Sequence, residues 1–363
     1  MDEQNASLAL SVCNGIGPVR FQKLYDYFGS AQTAWEASLD ELKRSGIGNK
    51  MSEDLQDFRK KFSLDRYLER MHKEGVWFVT LHQKDYPRLL GQIHNPPIIF
   101  YGKGNSDCLE DAPIKLAVVG TRKITDYGKQ VTELLVSELA VSGCIIVSGL
   151  AMGVDAVAHQ ATLDAHGKTI AVLGSGVDLC TPQENTKLYE RILANDGLIL
   201  SETPLGQQPN KGSFPARNRI IAGLSHGVLV TEGAEDSGSL ITANDAFKNK
   251  RNVFAVPGPI TSAVSKGPIL LIHKGAKMVT TAKEIMNELG IMNKGIPLKK
   301  KTITADTKEE QQIIDVLQNE NLSFDDIVRQ TGLASATVGT LLSLMELKGY
   351  VRSVGASFFS LTI

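Results

Sequence analysis

From Leu116 onward the chain alternates short, continuous apolar runs with stretches of helical length. The runs are Leu116–Val119, Ile145–Val147, Ile170–Leu173, Leu198–Leu200, Val228–Val230 and Val253–Val256. Apolar residues with no polar alternation suit strands covered on both faces. The stretches between them, such as Tyr127–Val141, Asp155–Ala165 and Leu240–Lys248, end in turn residues and predict helices. Repeated strand–helix units imply an α/β fold, a Rossmann-like, doubly wound, mainly parallel sheet.

The flanks have different patterns. About the first 80 residues read as helices, with Asn14-Gly15-Ile16-Gly17-Pro18 opening Val19–Phe28 and a second copy at Ser45-Gly46-Ile47-Gly48-Asn49-Lys50. Two readings stand: a helix-hairpin-helix, whose glycines bring backbone N–H groups near a phosphate, or plain turns between helices. In residues 75–112, Val76–Val79 and Ile98–Tyr101 are apolar pieces separated by Tyr86-Pro87 and Pro96-Pro97, which suits a connecting region with edge strands. After Gly290 a Lys-rich stretch without apolar periodicity predicts an exposed linker. Three helices follow (Glu309–Asn319, Ser323–Thr331, Ser335–Lys348), then a β-ribbon over Tyr350–Leu361 turning at Gly355, a winged-helix pattern. The expected organisation is a helical domain over 1–80, a connecting region over 81–112, the Rossmann-like domain over 113–290, a linker over 291–307 and a winged helix over 308–363.

Composition agrees with a folded, multidomain chain: 363 residues, 42% hydrophobic and 22% charged. A net charge of −1 excludes a generally basic surface, so any nucleic-acid contact must come from a local patch. Cys13, Cys108, Cys144 and Cys180 are too scattered for a zinc site, and neither metal nor cofactor is expected. The opening residues lack the pattern of a signal or transit peptide and no apolar stretch reaches about 18 residues, so a cytoplasmic protein without membrane association is expected.

In an open parallel sheet, ligands bind beyond the carboxyl ends of the strands. There the sequence has Gly120-Thr121-Arg122, Ser148-Gly149-Leu150-Ala151-Met152-Gly153, Gly174-Ser175-Gly176, and Glu232 to Ser239 ending in Ser237-Gly238-Ser239. Small residues leave N–H groups open, and a Ser-Gly-Ser helix start suits an anion; each loop alone could equally be a tight turn. The dinucleotide and P-loop fingerprints are absent. Lys211, Phe214, Arg217, Asn218 and Arg219 lie in a stretch with no acid between Glu202 and Glu232. Arginine forks match phosphate oxygens and an aromatic stacks on an unpaired base, which suits a single strand. The alternative makes Phe214 a core residue and the arginines structural ion pairs. Asp155 and His159, four apart, read better as a first-turn acid and a satisfied histidine than as an acid–base pair.

Together these residues resemble the DNA-processing protein A family, also called DprA or Smf. The motifs run in one order: Val118-Val119-Gly120-Thr121-Arg122, Ser148-Gly149-Leu150-Ala151, Gly153-Val154-Asp155, Phe214-Pro215-Ala216-Arg217-Asn218-Arg219, Ser237-Gly238-Ser239 and Val256-Pro257-Gly258. The resemblance implies a non-enzymatic single-stranded-DNA binder that loads RecA during natural transformation and dimerises through its Rossmann domain. It also implies that Arg122 and the Arg217-Asn218-Arg219 segment grip phosphates, with Gly120, Thr121, Ser148, Gly149, Phe214 and Ser237–Ser239 forming the pocket and Lys168, Lys211 and Lys248 as further cations. Two other functions compete: a free-nucleotide sensor or phosphoribohydrolase-like enzyme employing Glu232 and Arg122, and transcription regulation through the winged helix. The second is disfavoured because the chain from Lys301 onward carries 5 Lys/Arg against 8 Asp/Glu, a net charge of −3. A protein-contact or regulatory role is expected for that domain.

Overall fold

The computed structural model describes residues 1–210, 212–291, 305–317, 321–353 and 358–361. The chain divides into two units, Met1–Ile296 and Pro297–Ile363. Most of the expected linker, Lys211 and the expected turn at Gly355 lie outside the described residues.

The first unit opens with six helices, α1 (Glu3–Val12), α2 (Pro18–Phe28), α3 (Ala31–Glu36), α4 (Leu39–Arg44), α5 (Asn49–Lys61) and α6 (Leu64–Lys73). The two Gly-Ile-Gly segments are the turns before α2 and α5, with Gly15, Gly46 and Gly48 at positive φ. Leu10, Phe21, Leu24, Leu42 and Leu55 fill the core between the helices.

Strands β1 (Val76–Thr80) and β2 (Ile99–Gly104) flank the short helix α7 (Arg88–Gly91). Then come β3 (Lys115–Val119), α8 (Asp126–Val141), β4 (Ile145–Ser148), α9 (Val154–Asp164), β5 (Thr169–Leu173), α10 (Thr186–Ala194) and β6 (Leu198–Ser201). The unit ends with α11 (Ser213–Leu224), β7 (Gly227–Val230), α12 (Ser239–Lys248), β8 (Asn252–Ala255), α13 (Lys266–His273), β9 (Lys277–Met278) and α14 (Ala282–Leu289). All nine strands form one sheet in the order β1-β2-β6-β5-β4-β3-β7-β8-β9. β3 to β9 pair in parallel, whereas β2 runs antiparallel to both β1 and β6. The α/β, doubly wound, mainly parallel architecture is therefore the one expected. The two apolar pieces of residues 75–112 belong to the sheet itself, β1 at one edge and β2 inside it.

The apolar runs look continuous because alternate residues serve opposite faces. Ala117, Val119, Val147, Val172 and Val230 pack under α11 and α12, while Leu116, Val118, Ile146, Leu229 and Phe254 pack under α8, α9 and α14.

The second unit holds α15 (Lys308–Leu317), β10 (Leu322–Ser323), α16 (Phe324–Thr331), α17 (Ser335–Leu347), β11 (Val351–Ser353) and β12 (Phe358–Leu361). Its strands pair in the order β10-β12-β11 against a core of Ile313, Ile327, Val338, Leu342 and Met345. This is the winged-helix arrangement, with β10 as a third strand that its two residues did not announce.

Candidate nucleic-acid interface

β3 is where the sheet order reverses: the chain winds outward through β4, β5 and β6, then crosses back to β7 on the other side of β3. A doubly wound sheet leaves a crevice at the carboxyl ends of strands at that point. Here it is a cleft of about 260 Å³. Gly120 and Arg122 line it from the loop after β3, Ala151 and Asp155 from the turn into α9, Ser237, Gly238 and Ser239 from the start of α12, and Phe214, Arg217 and Asn218 from α11.

At its mouth Arg122 is exposed and its guanidinium carbon lies 5.2 Å from the centre of the half-buried Phe214 ring. The loop carrying Arg122 is held from below: Thr121 N–H donates to Glu232 O at 2.8 Å, and Val154 N–H donates to Thr121 O at 3.1 Å. Across the cleft Asn218 Nδ2 donates to Gly238 O at 3.2 Å, and the Ser237 and Ser239 hydroxyls share a hydrogen bond of 2.8 Å. Gly238, the residue just before α12, gives that helix no side-chain cap. A cation–aromatic pair thus faces a hydroxyl-rich helix start, whose positive dipole end favours an anion.

Beneath the mouth the groups are spent on one another. Ser148 is fully buried and its hydroxyl donates to Val118 O at 2.6 Å, stitching β4 to β3. Gly149 N–H donates to Asp155 Oδ2, and a Cβ at Gly149 would lie 1.6 Å from Arg217 Nη1, so only glycine admits that guanidinium. Arg217 is 7% exposed and donates to Val172 O at 2.7 Å; Arg219 pairs with Glu202. Burial pushes the carboxyls of Asp155 and Glu202 up, with Arg217 and Arg219 respectively pulling them back.

These contacts correct part of the sequence reading. Of the expected phosphate contacts, Arg122 is open to solvent, whereas Arg217 and Arg219 are engaged within the protein. Lys168 precedes the first residue of β5 and Lys248 ends α12, so both stand at the amino-terminal edge of the sheet, the edge opposite the cleft. They do not join the site; Lys211 lies outside the described residues. Glu232, which the enzymatic alternative would employ with Arg122, is 2% exposed and accepts from both the backbone and hydroxyl of Thr125, the residue that caps α8. His159 is buried, as a satisfied core histidine would be, but only Nδ1 has a partner, Thr169 Oγ1 at 2.7 Å. The sequence reading did not include Lys123, exposed beside Arg122, or the partner role of Glu202, which directly follows the carboxyl end of β6.

A family described as DNA recombination-mediator protein A matches residues 77–290, and one described as the DprA winged helix domain matches residues 297–356. The chain belongs to the DNA-processing protein A family. Among DprA/Smf relatives, protein Smf of Synechocystis is 37% identical over 96% of both chains. DNA processing protein DprA of Bacillus subtilis is 41% identical over 69% of this chain and 82% of the relative. The solved DprA of Streptococcus pneumoniae superposes with a TM-score of 0.68 at 34% identity, covering 79% of this chain and 99% of that one. DprA of Helicobacter pylori, whose structure is described by its single-stranded DNA binding mode, gives a TM-score of 0.53 at 35% identity over 60% and 97%. Among the described residues, no helix is long and apolar enough to cross a membrane.

Proposed function

We propose that this protein binds single-stranded DNA in the cleft at the β3 switch point and loads a RecA-type recombinase onto it during natural transformation, without catalysing a reaction. The observation that carries the reading is the exposed Arg122 stacked on Phe214 at the mouth of that cleft. An arginine fork can meet phosphate while the ring beside it takes an unpaired base, and a duplex would bury the face the ring needs. Gly120, Thr121, Asn218 and Ser237–Ser239 complete the contact surface in this reading. It is supported by the DNA recombination-mediator family and by a Helicobacter pylori relative described as binding single strands. A homodimer joined through the Rossmann-like domain would double the track, and the cytoplasm is the compartment where such a protein meets DNA and RecA.

Titrating matched single- and double-stranded oligonucleotides at two salt concentrations, with free nucleotides as controls, tests the binding. Tight, salt-sensitive binding of the single strand alone is expected; preference for a free nucleotide would end this reading. Loading is tested by following recombinase filament growth on long single strands by light scattering, where added protein should shorten the lag.

A further inference from the structure

α11 presents Phe214 and Asn218 to the cleft, while Arg217 lies in its floor, 7% exposed, and Arg219 turns to the end of β6. Arg217 packs its guanidinium on Gly149, donates to Val172 O of β5 and faces the buried Asp155 carboxylate. Arg219 pairs with Glu202, one residue past the end of β6, and its Nη1 is buried. The acids come from α9 and from the end of β6, so the helix is tied on two sides to the carboxyl edge of the sheet.

We propose that Arg217 and Arg219 are positioning residues that hold α11 so that Phe214 and Asn218 meet the strand, and that neither touches the DNA backbone. The inference rests on the reading that a single strand occupies this cleft. It departs from the simplest view of an Arg-Asn-Arg segment, that of a phosphate clamp. A cation contributes to salt dependence only when it displaces counterions from a phosphate. A guanidinium already opposed by a carboxylate in the free protein, and withdrawn from water, displaces none. Its removal leaves an acid without its partner and a helix less firmly held, which weakens every contact that α11 makes without changing how many phosphates are neutralised.

The test uses the full-length protein and a dT oligomer titrated across a salt series, with thermal unfolding of each variant as the folding control. Arg219→Ala should bind about tenfold more weakly with the wild-type salt slope, a loss of about 1.4 kcal/mol. Arg219→Lys, which keeps a cation for Glu202, should recover most of the affinity. Glu202→Gln should weaken binding. Arg217→Met should likewise keep the wild-type slope; should it fail to fold, Arg217→Gln, which removes the charge but can still donate toward Val172 O, takes its place with the same expectation. A fall in slope of about 0.7 in an arginine variant, the value for one phosphate on a single strand, would overturn the proposal. So would wild-type affinity in Arg219→Ala, or tighter binding in Glu202→Gln through release of a free arginine. Arg122→Ala separates the two levels: if it leaves affinity and slope untouched, the strand lies elsewhere and both readings fall; if it lowers the slope, only the role of Arg217 and Arg219 is at stake.

Discussion

Arg122 and Phe214 form one contact but do different things to a bound strand. The guanidinium is a solvent-exposed charge, so it exchanges counterions for a phosphate; the ring is apolar surface and stacks. Arg122→Ala should therefore lower the salt slope by about 0.7, while Phe214→Ala should lose about 1–3 kcal/mol of binding at a preserved slope. Anisotropy titrations of labelled dT at several salt concentrations separate these outcomes. Below the cleft, His159 has a different part. Thr169 Oγ1 donates to Ile146 O, so the hydrogen between Thr169 and His159 belongs to Nδ1, and Nε2 is bare and without a partner. Protonating Nε2 would put a charge in the interior near Arg217, and burial with that neighbour lowers the pKa to about 3. The unfolded chain takes up this proton near pH 6.5 and the folded chain does not, so stability is full above pH 6.5 and declines toward pH 3, by at most about 1.4 kcal/mol per unit. The carboxyls of Asp155 and Glu202, pushed up by desolvation, act in the opposite sense, so the informative quantity is a difference. His159→Gln should lose less stability than the wild type between pH 6.5 and pH 4 in urea unfolding; equal losses would remove His159 from the account.

Between β4 and α9 the turn closes at Gly153, with φ at 81°. A Cβ there would lie 2.2 Å from Thr121 O and 2.8 Å from Arg122 C, both backbone atoms that cannot swing away. Gly153→Ala should cost about 1–3 kcal/mol in urea unfolding, and it should weaken DNA binding because the displaced loop carries Arg122. Elements as tightly built as these were largely legible in the sequence. β3 to β8 lie within one residue of their apolar runs, because strands buried on both faces carry polar residues only at their ends. β9 has two residues and β10 two, too few for any periodicity. β2 looked like an edge piece because prolines precede it; its place between β1 and β6 depends on pairing such as Tyr101 with Ser201, far away in the chain. The cleft was legible for the same reason as the strands, since its loops follow their carboxyl ends. The arginines were not. Residues 203–231 contain no acid, so the stretch looked like an open cation patch, but the acids that oppose Arg217 and Arg219 are supplied across the fold by Asp155 and Glu202. Sequence displays charge, whereas whether a charge is free depends on which elements meet.

At the scale of the whole chain, binding strength should reside in the first unit. A winged helix that reads DNA needs cations on its recognition helix and along the backbone contacts beside it. α17 has no Lys or Arg along its length, and Lys348 just beyond it is held by Asp306 at 2.7 Å and Glu310 at 2.6 Å. Arg329 is likewise paired with Asp326. The same helix exposes Leu344 and, at 86%, Leu347, apolar surface that offers a nucleic acid nothing but suits a protein. The first unit closes on itself: Gly290 adopts a left-handed turn after α14, Ile291 N–H returns to Met286 O, and Leu289 and Ile291 pack on the core under that helix. A chain ending at Ile291 keeps that closure. It should bind dT within about twofold of the full-length protein and with the same salt slope, since the phosphates neutralised are unchanged. A larger loss of affinity, or a smaller slope, would give the acidic unit a direct part in holding DNA and would revive the regulator reading that its charge now opposes.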